Sequence, residues 1–280
     1  MRILVTGGSG YLGTHVCRFF GADDFSRRSG RNVLNLEDVK LVSDYDVVIH
    51  LAAHLDKDPS SADLCFRTNV EGTTNVIKNL GPNSVFIYAS TKDVYGANAD
   101  SFQEVPETCP THYSGQSALE WSKLIGERYL EYYARERNIR LCIFRMSAIY
   151  ARPSDGNENG FVTHYVESVK HGWPIRMPLG GQPMRDILHV DDLARACQAF
   201  IDSSQVYGLY NLGGGIRNAV TLREIANIVG NLIQVVPVIT EDAKLPHPVP
   251  LNYVSDLTRI SEQLGWQPQT GVWEGLRSLL

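Results

Sequence analysis

The chain has 280 residues, of which 43% are hydrophobic and 20% are charged, as in a soluble globular protein with one large domain or two coupled domains. A net charge of −5 gives no reason to expect binding to nucleic acid or to an anionic membrane surface. The five cysteines are scattered singly, without a C-x-x-C pair, which predicts no metal site and a reducing, cytoplasmic location. No apolar run reaches the length of a membrane span, and the first strand pattern starts at residue 2, so we expect neither a membrane anchor nor a signal peptide.

The first segment that indicates a function is a glycine-rich turn directly after an apolar run. Residues 3–5 predict a buried strand, and Gly7, Gly8, Gly10 and Gly13 follow it. These glycines fit both G-x-G-x-x-G and G-x-x-G-x-x-G. In such a turn the amides at a helix N-terminus bind a pyrophosphate, and a side chain would block the phosphates or hold the helix off the strand. The pattern therefore predicts dinucleotide binding.

Strand and helix patterns alternate through the first 150 residues. Apolar runs at 46–53, 84–90 and 140–145 predict buried strands, and the intervening stretches 62–80 and 118–138 predict helices. Nearly continuous apolar strands between helices are typical of a parallel sheet covered on both faces. We therefore expect an α/β fold with a Rossmann-type doubly wound parallel sheet and a ligand at the carboxyl ends of its strands.

The sequence changes in character after residue 150. A long polar loop is predicted over 153–160, and short elements interrupted by glycine and proline follow. We predict a smaller C-terminal α/β substrate-binding lobe from about 151–187 plus 212–280. Residues 1–150 plus about 188–211 are predicted to form the dinucleotide-binding domain.

Nine short motifs, spread along nearly the whole chain, carry a resemblance to a known family. They are Thr6–Gly13, Asp23–Ser26, His50–Ala53, Asn69–Thr73, Ser90–Gly96 (with the pairs Ser90-Thr91 and Val94-Tyr95), Ser122–Glu127, Met184–Asp192, Tyr210–Gly215 and Leu264–Pro268. In this order they resemble the extended short-chain dehydrogenase/reductase family, specifically its NAD-dependent nucleotide-sugar epimerase and dehydratase branch. The stretch from Arg185 to His189 is especially similar to sugar-nucleotide 2-epimerases.

The resemblance implies NAD as the cofactor, with NADP possible, and a set of cofactor-binding residues. These are Gly7, Gly10, Tyr11, Leu12, Gly13, Asp23, Asp24, Phe25, Ser26, Asn35, Leu36, Leu51, Ala52, Ala53, Ala89 and Lys123. Within this set, Lys123 would bind the nicotinamide ribose, and Asn35 with Leu36 would lie against the adenine.

Two features near residue 25 point to different forms of the cofactor. Asp23 and Asp24 are expected at the end of the second strand, where a carboxylate binds the adenosine ribose hydroxyls and repels a 2′-phosphate. Arg27, Arg28 and Arg31 follow closely and could pair with a phosphate. The interval from Gly13 to Asp23 is shorter than the roughly 20 residues usual in such folds, so either the first helix or the second strand must be short.

The catalytic position departs from the family pattern. The family has a tyrosine acid/base one helical turn before its lysine, and Leu119 stands there before Lys123. Positioned acid/base catalysis is worth about 10²–10⁴-fold, so a substitute is needed. Tyr113 is the predicted substitute, with His112 or a water relayed by Thr91 as alternatives. The catalytic prediction is thus Thr91, Lys123 and Tyr113.

The substrate residues also match only in part. Arg185 is the candidate phosphate clamp, and His54 would face the sugar in the family geometry. An arginine usual for the pyrophosphate is missing from Leu245–Pro250, where His247 is a weaker anion partner. Lys92, in the place of a catalytic acid, counts against a standard dehydratase.

Three functions are compatible with these residues. The first is an NAD-dependent epimerase-like enzyme that acts on a nucleotide-activated sugar through transient hydride transfer. The second is an NAD(P)H-dependent keto-sugar reductase, favoured by the arginines after Asp24. The third is a redox-inactive cofactor-binding protein of the same fold, favoured by Leu119. The resemblance also implies a homodimer paired through the helix that carries Lys123.

Overall fold

The computed structural model describes residues 1–153, 160–242 and 250–280, so the predicted loop at 153–160 and His247 lie largely or wholly outside the described residues. Its main sheet consists of β1 (Ile3–Thr6), β2 (Asp23–Phe25), β3 (Val47–His50), β4 (Val85–Thr91), β5 (Arg140–Met146) and β9 (Tyr207–Leu212). These six strands are parallel and lie in the order β2-β1-β3-β4-β5-β9. The prediction of a doubly wound parallel sheet is confirmed.

The edge of the sheet at β2 is unusually small. The preceding helix α1 (Gly13–Phe20) has eight residues and β2 has three, so both elements are short, as the interval to Asp23 predicts. Between β2 and β3 the chain forms a four-residue helix, α2 (Leu36–Val39), a short 3₁₀ segment and loops, with no further strand. The three-residue strand β2 is therefore the outer strand of the sheet on this side.

Helices cover both faces of the main sheet. On one face α1 packs with α7 (Val190–Asp202), and their apolar side chains join those of β1 and β3 in one core cluster. On the other face α4 (Thr73–Asn79) and α5 (Ala118–Arg137) pack over residues such as Phe86 and Ile143 in a second cluster. No helix among the described residues is both long enough and apolar enough to cross a bilayer.

The remaining elements form smaller sheets with their own core. The strands are β6 (Ala148–Tyr150), β7 (Ile175–Pro178), β8 (Met184–His189), β10 (Ala219–Thr221), β11 (Ile239–Asp242) and β12 (Asn252–Tyr253). The helices are α6 (Phe161–His171), α8 (Leu222–Ile233), α9 (Thr258–Leu264) and α10 (Val272–Ser278).

In this part of the molecule β8 pairs with β6, β10 and β12, and β11 pairs with β7. Side chains from α6, α8 and α10 form a third core cluster. Of the stretch predicted to return to the main sheet, only α7 and β9 do so. We keep the two-lobe division as a proposal, with β8 assigned to the smaller lobe.

The predicted helix over 62–80 is broken into three pieces. It consists of α3 (Ala62–Phe66), a π-helical turn (Arg67–Gly72) and α4. By contrast, α5 is continuous over 20 residues and starts with a capping box, in which Ser117 and Glu120 satisfy each other's backbone N–H groups. The cap fixes where α5 begins and hence where its later side chains point.

Candidate active site

A cavity of about 730 Å³ lies at the carboxyl ends of β1 to β4. Its wall runs from the glycine-rich turn after β1 to the first turns of α5. We call one part the β2 end, defined by Ser26, Arg27, Arg28, Arg31, Asn32, Val33 and Leu34. We call the other part the α5 end, defined by Ala89, Ser90, Thr91, Leu119 and Lys123.

The glycine-rich turn forms the wall between these two ends. Gly7, Gly10, Tyr11, Leu12 and Gly13 all line the cavity, as do the predicted residues at the end of β3, Leu51, Ala52 and Ala53. Gly7 has a φ of 71°, and a Cβ there would lie 2.9 Å from the Ala52 nitrogen. A Cβ on Gly13 would lie 2.1 Å from the Gly7 oxygen. Only glycine fits these positions, so the turn packs closely against the end of β3 and against its own backbone.

Lys123 is buried at the α5 end, with 3% of its surface exposed. Its Nζ donates to the Ala89 carbonyl at 2.7 Å and lies 4.9 Å from the centre of the Tyr88 ring. Burial lowers the pKa of Lys123 to about 8, although the Glu127 carboxylate opposes this shift. The lysine is therefore fixed in position, and its proton is held less firmly than in water.

A buried ion pair supports the α5 end from behind, and sequence reasoning missed it. Glu127 and Arg145 are 1% and 2% exposed, and Arg145 Nη2 lies 2.7 Å from Glu127 Oε2. Ser90 Oγ donates to the other carboxylate oxygen at 2.5 Å. Glu127 lies one helical turn after Lys123, and this spacing could have indicated that its carboxylate lies on the same face of α5 as the lysine.

Thr91 and Leu119 both line the α5 end. The Thr91 hydroxyl accepts a hydrogen bond from the Asp93 backbone N–H at 3.2 Å, which leaves its own proton to donate. Leu119 is 7% exposed and lies one turn before Lys123 on the same helix. The residue one turn before the lysine therefore presents hydrocarbon to the cavity.

Tyr113 does not approach this site, which corrects the prediction that it replaces the family tyrosine. It is 68% exposed and absent from the described lining of the cavity. Gly115, with a φ of 104°, turns the chain before α5, and Gln116 Nε2 binds the carbonyls of Val94 and His112. These contacts hold the segment away from the cavity.

Comparison with known proteins gives the family. The model of the NAD dependent epimerase/dehydratase family matches residues 3–213. The chain belongs to this family. It is thus an enzyme of the epimerase/dehydratase type, and its cofactor is a nicotinamide dinucleotide.

Similar proteins in this family span nearly the full length of the chain. A CDP-paratose 2-epimerase from Salmonella typhi is 25% identical, with 100% of this chain and 98% of that protein covered. A dTDP-glucose 4,6-dehydratase from Haemophilus influenzae is 26% identical, with 99% and 96% covered.

Solved structures share the fold over the same length. A Thermotoga maritima UDP-glucose 4-epimerase with UDP-glucose superposes with a TM-score of 0.85 at 24% identity, covering 99% of this chain and 96% of that one. The Pseudomonas aeruginosa protein RMD, complexed with NADPH, superposes with a TM-score of 0.83 at 21% identity, covering 100% and 98%.

The cavity fits such a dinucleotide, because the glycine-rich turn that lines it leads directly into the N-terminus of α1, where backbone N–H groups can bind a diphosphate. Lys123 would hold the nicotinamide ribose at the α5 end. Ala89 lines the cavity beside it, as predicted from the resemblance.

The residues predicted to lie against the adenine do not line the cavity, whereas the pair two residues earlier does. Asn35 caps α2, where its side chain accepts from the Glu37 N–H at 3.0 Å, and Leu36 is 61% exposed. Neither lines the cavity, whereas Val33 and Leu34 do. The helix cap turns the chain outward at residue 35, so the apolar surface comes from the residues before it.

The two predicted ribose carboxylates also lie outside the described lining of the cavity. Asp23 Oδ2 accepts from the Tyr45 hydroxyl at 2.8 Å, and Asp24 Oδ2 accepts from the Ser26 hydroxyl at 2.9 Å. Phe25 and Ser26 do line the cavity, as predicted. Because β2 starts at Asp23 and its last residue, Phe25, lines the cavity, the Asp23 carboxylate lies at the other end of the strand.

His54 lines the cavity, and Asn69 fixes its backbone. The Asn69 side chain accepts from the His54 N–H at 2.8 Å and donates to its carbonyl at 2.9 Å. Asn69 also donates to Ser122 Oγ at 2.9 Å, so the loop after β3 is tied to α5 through the π-helical turn.

Arg185, the predicted phosphate clamp, is not among the described residues that line this cavity, and its role towards a substrate stays a prediction. Its guanidinium donates to the carbonyls of Met184, Pro250 and Leu251 at 2.6 to 3.1 Å. Burial lowers its pKa, and backbone oxygens accept from both Nη1 and Nη2. In this arrangement Arg185 joins β8 to the segment before β12.

Proposed function

We propose that the chain is an epimerase of nucleotide-activated sugars that works through transient hydride transfer. The observation that carries the proposal is the joint placement of Lys123 and Thr91 at one end of a cavity whose centre is the glycine-rich turn. The substrate class follows from the relatives, which act on CDP-, dTDP- and UDP-linked sugars.

The nicotinamide ring, when bound, supplies a hydride acceptor and returns the hydride later in the cycle. The residues of this chain orient the reactants. Lys123 donates to the ribose hydroxyls and, as a cation, favours the anionic form of a nearby oxygen. The Thr91 proton is placed to bind the sugar oxygen that becomes a carbonyl. His54 lines the neighbouring wall and would contact the sugar.

Proton transfer requires a group other than residue 119, because leucine carries no exchangeable proton. With Tyr113 exposed and outside the cavity, we propose that Thr91 relays the proton through a water. This relay would be weaker than a tyrosine held one turn before Lys123. We therefore expect slow turnover compared with family members that have the tyrosine.

The reductase alternative is favoured by one specific feature, the arginines at the β2 end. Exchangeable, reduced cofactor would then be consumed in each turnover. Release of free oxidised cofactor in proportion to product would distinguish this reaction from epimerisation, which consumes none.

The proposal is tested by incubating the protein with UDP-, CDP-, dTDP- and GDP-linked hexoses and following the sugar C–H signals by NMR. We expect a C–H inversion without net oxidation, and about a 10²-fold or larger loss of turnover in Lys123→Met. Lys170→Met is the matched control, because Lys170 is a surface lysine paired with Glu167 at 2.9 Å. Equal turnover in Lys123→Met and wild type would refute the proposal.

Leu119→Tyr distinguishes a slow enzyme from a redox-inactive protein. It restores a phenol one turn before Lys123. Measurable turnover in wild type and faster turnover in Leu119→Tyr would fit a weak proton relay in the native protein. No turnover in wild type on any of these sugars, with turnover in Leu119→Tyr, would instead identify a redox-inactive protein.

We also propose a homodimer paired through α5. Tyr129 and Tyr132 on this helix are 47% and 59% exposed, so α5 presents aromatic surface that a second copy of the chain could cover. Light scattering should give twice the chain mass for wild type and a monomer for Tyr129→Lys/Tyr132→Lys. A monomeric wild type would contradict this assignment.

A cytoplasmic location is proposed on the state of the cysteines. All five are free thiols, and four of them are buried. Such thiols persist in a reducing compartment.

A further inference from the structure

We propose that Lys57 and Glu120 form the pair that holds the transferred proton, in place of the tyrosine that this chain lacks at residue 119. The inference rests on the proposed function, because it supplies the end point of the Thr91 relay. A threonine hydroxyl and a water can pass a proton on, but neither has a pKa near the operating pH that would let it keep the proton. The relay therefore needs a further group that does.

The Lys57 ammonium group bridges the two elements that carry the α5 end. Lys57 lies in the loop after β3, and its Nζ lies 2.7 Å from Glu120 Oε1 and 3.1 Å from Asp93 Oδ2. Glu120 directly follows Leu119 in α5, and Asp93 comes two residues after Thr91, the last residue of β4. Leu119 and Thr91 both line the cavity. The ammonium group therefore lies at the rim of the α5 end, beside the residue that takes the place of the tyrosine.

The two members of the pair differ in exposure. The side chain of Lys57 is 24% exposed, whereas that of Glu120 is 4% exposed. An ammonium group has three protons, so two carboxylate contacts leave one of them for a water. A proton can therefore reach Lys57 from the solvent side and pass inward to Glu120.

The loop that carries Lys57 is tied down on both sides of this residue. On one side the Asn69 side chain binds the backbone N–H and carbonyl of His54. On the other side the Asp58 carboxylate accepts from the Ser60 N–H at 2.8 Å and caps a short 3₁₀ turn. The ammonium group is thus positioned by the fold before a substrate binds.

The two carboxylates beside Lys57 differ in their ability to accept a proton. Asp93 also pairs with the Lys92 ammonium group. Burial alone would raise the pKa of Asp93, but the two ammonium groups hold it below its ordinary value, so this carboxylate stays ionised. Glu120 Oε1 accepts no hydrogen bond from any described residue other than Lys57, while Oε2 accepts from the Ser117 N–H and hydroxyl. Glu120 is therefore the carboxylate that can take a proton from Lys57, and Asp93 keeps the lysine in place.

Proton transfer along this pair is reversible within one turnover. Burial alone would lower the pKa of Lys57, but Asp93 and Glu120 hold it above its ordinary value, so Lys57 starts as an ammonium group. As the sugar carbon gives up its hydride to the bound nicotinamide, the O–H electron pair forms the second carbon–oxygen bond, and the hydroxyl proton enters the Thr91 relay. Lys57 passes one of its own protons to Glu120 Oε1, and the resulting amine takes up the proton from the water. The reverse transfers return the proton when the hydride comes back, so both residues end the turnover unchanged.

The test begins with Lys57→Met, with Lys40→Met as the matched control, because Lys40 is an exposed lysine paired with Glu37 at 2.7 Å. In Lys57→Met we expect kcat to fall by about 10²-fold or more, as for loss of a positioned acid/base. The KM of the sugar nucleotide and the dinucleotide affinity measured by calorimetry should stay within about threefold of wild type, because the pair acts in the chemical step.

Glu120→Gln is a second variant that separates proton transfer from folding. Glutamine can keep the capping box at the start of α5, but its amide cannot take up the proton. We expect the same loss of kcat as in Lys57→Met, with a urea unfolding midpoint close to that of wild type. If Lys57→Met does not fold, Glu120→Gln decides the question.

Rescue by a phenol at residue 119 distinguishes this role from a structural one. Leu119→Tyr/Lys57→Met should turn over at nearly the rate of Leu119→Tyr, because the tyrosine then holds the proton. Leu119→Tyr/Lys123→Met should stay about 10²-fold slower or more, since the cofactor lysine is still missing. Structural damage caused by the loss of Lys57 would not be repaired by the tyrosine.

Turnover equal to that of wild type in Lys57→Met or in Glu120→Gln would overturn the inference and leave the proposed function intact. A loss in Lys57→Met that Leu119→Tyr does not restore would also overturn it. Absence of turnover in wild type on every sugar nucleotide would instead reject the proposed function, and this inference with it.

Discussion

The two ends of the cavity hold their positive charge in opposite ways. At the α5 end a single lysine is buried, bonded to Ala89 and backed by the Glu127–Arg145 ion pair. At the β2 end three arginines stand on an exposed loop after a three-residue edge strand. One charge is fixed by the fold, and the others are screened by water.

This difference separates the roles that the two ends can take. A desolvated and immobile ammonium group can orient a ribose and tune the ionisation of a neighbouring oxygen, because its field is not weakened by solvent. Exposed guanidinium groups contribute affinity that depends on salt and on the charge of the ligand. We therefore expect the α5 end to act in the chemistry and the β2 end to contribute salt-dependent affinity for the cofactor.

The largest effect is expected from breaking the support of the α5 end. In Glu127→Gln the buried Arg145 loses its counter-ion, which should lower the free energy of unfolding by about 3–5 kcal/mol. Urea denaturation followed by circular dichroism measures this change.

A double variant, Glu127→Gln/Arg145→Met, controls for loss of packing. It should recover part of the stability, because no unpaired charge stays buried. A double variant that is less stable than Glu127→Gln would show that charge burial is not the cause.

An intermediate effect is expected from titration of Lys123. Burial lowers the pKa of this group from its usual 10.5 to about 8 in the folded chain. Between these values the unfolded chain binds more protons than the folded chain. The free energy of unfolding of wild type should therefore rise with pH relative to Lys123→Met, by about 1.4 kcal/mol per pH unit at the steepest.

Measurements from pH 7 to 10 on both proteins isolate this group, because the tyrosines and cysteines titrate in both. The difference between the two proteins should flatten towards pH 7, one unit below the pKa of about 8 in the folded chain. A parallel course of the two curves across the whole range would show that Lys123 keeps an ordinary pKa.

The smallest effect is expected at the periphery of the β2 end. Arg31→Ala removes a cation that is half exposed and 3.9 Å from Asp38, so stability should change by less than about 1 kcal/mol. Dinucleotide affinity should fall by about two- to fivefold at low salt and by less at 0.5 M NaCl. A tenfold loss that persists at high salt would mean that Arg31 makes a desolvated contact.

The fold and the α5 end could be predicted from sequence because their signals are local. The apolar strands, the glycines and the helical spacing of Leu119 and Lys123 each specify their own position. The fragmented helix over 62–79 could not be foreseen, since a π-helical turn leaves the apolar pattern almost unchanged.

The predicted cofactor residues near β2 line the cavity only in part, for a different reason. The short interval between Gly13 and Asp23 does not tell which of the two elements, α1 or β2, is shortened and by how much. The lengths of these elements decide whether Asp23 or Ser26 lies at the cavity. Asn35 was likewise assigned to the adenine, although an asparagine before Leu36, Glu37 and Asp38 also fits a helix cap.

The bonds that Asn69 makes to His54 and Ser122 have a thermodynamic consequence. A wall that is already tied down before a ligand arrives loses little conformational entropy when the ligand binds. The middle of the cavity should therefore keep its shape on binding, and a molecule that occupies it must match the fixed distance between the two ends.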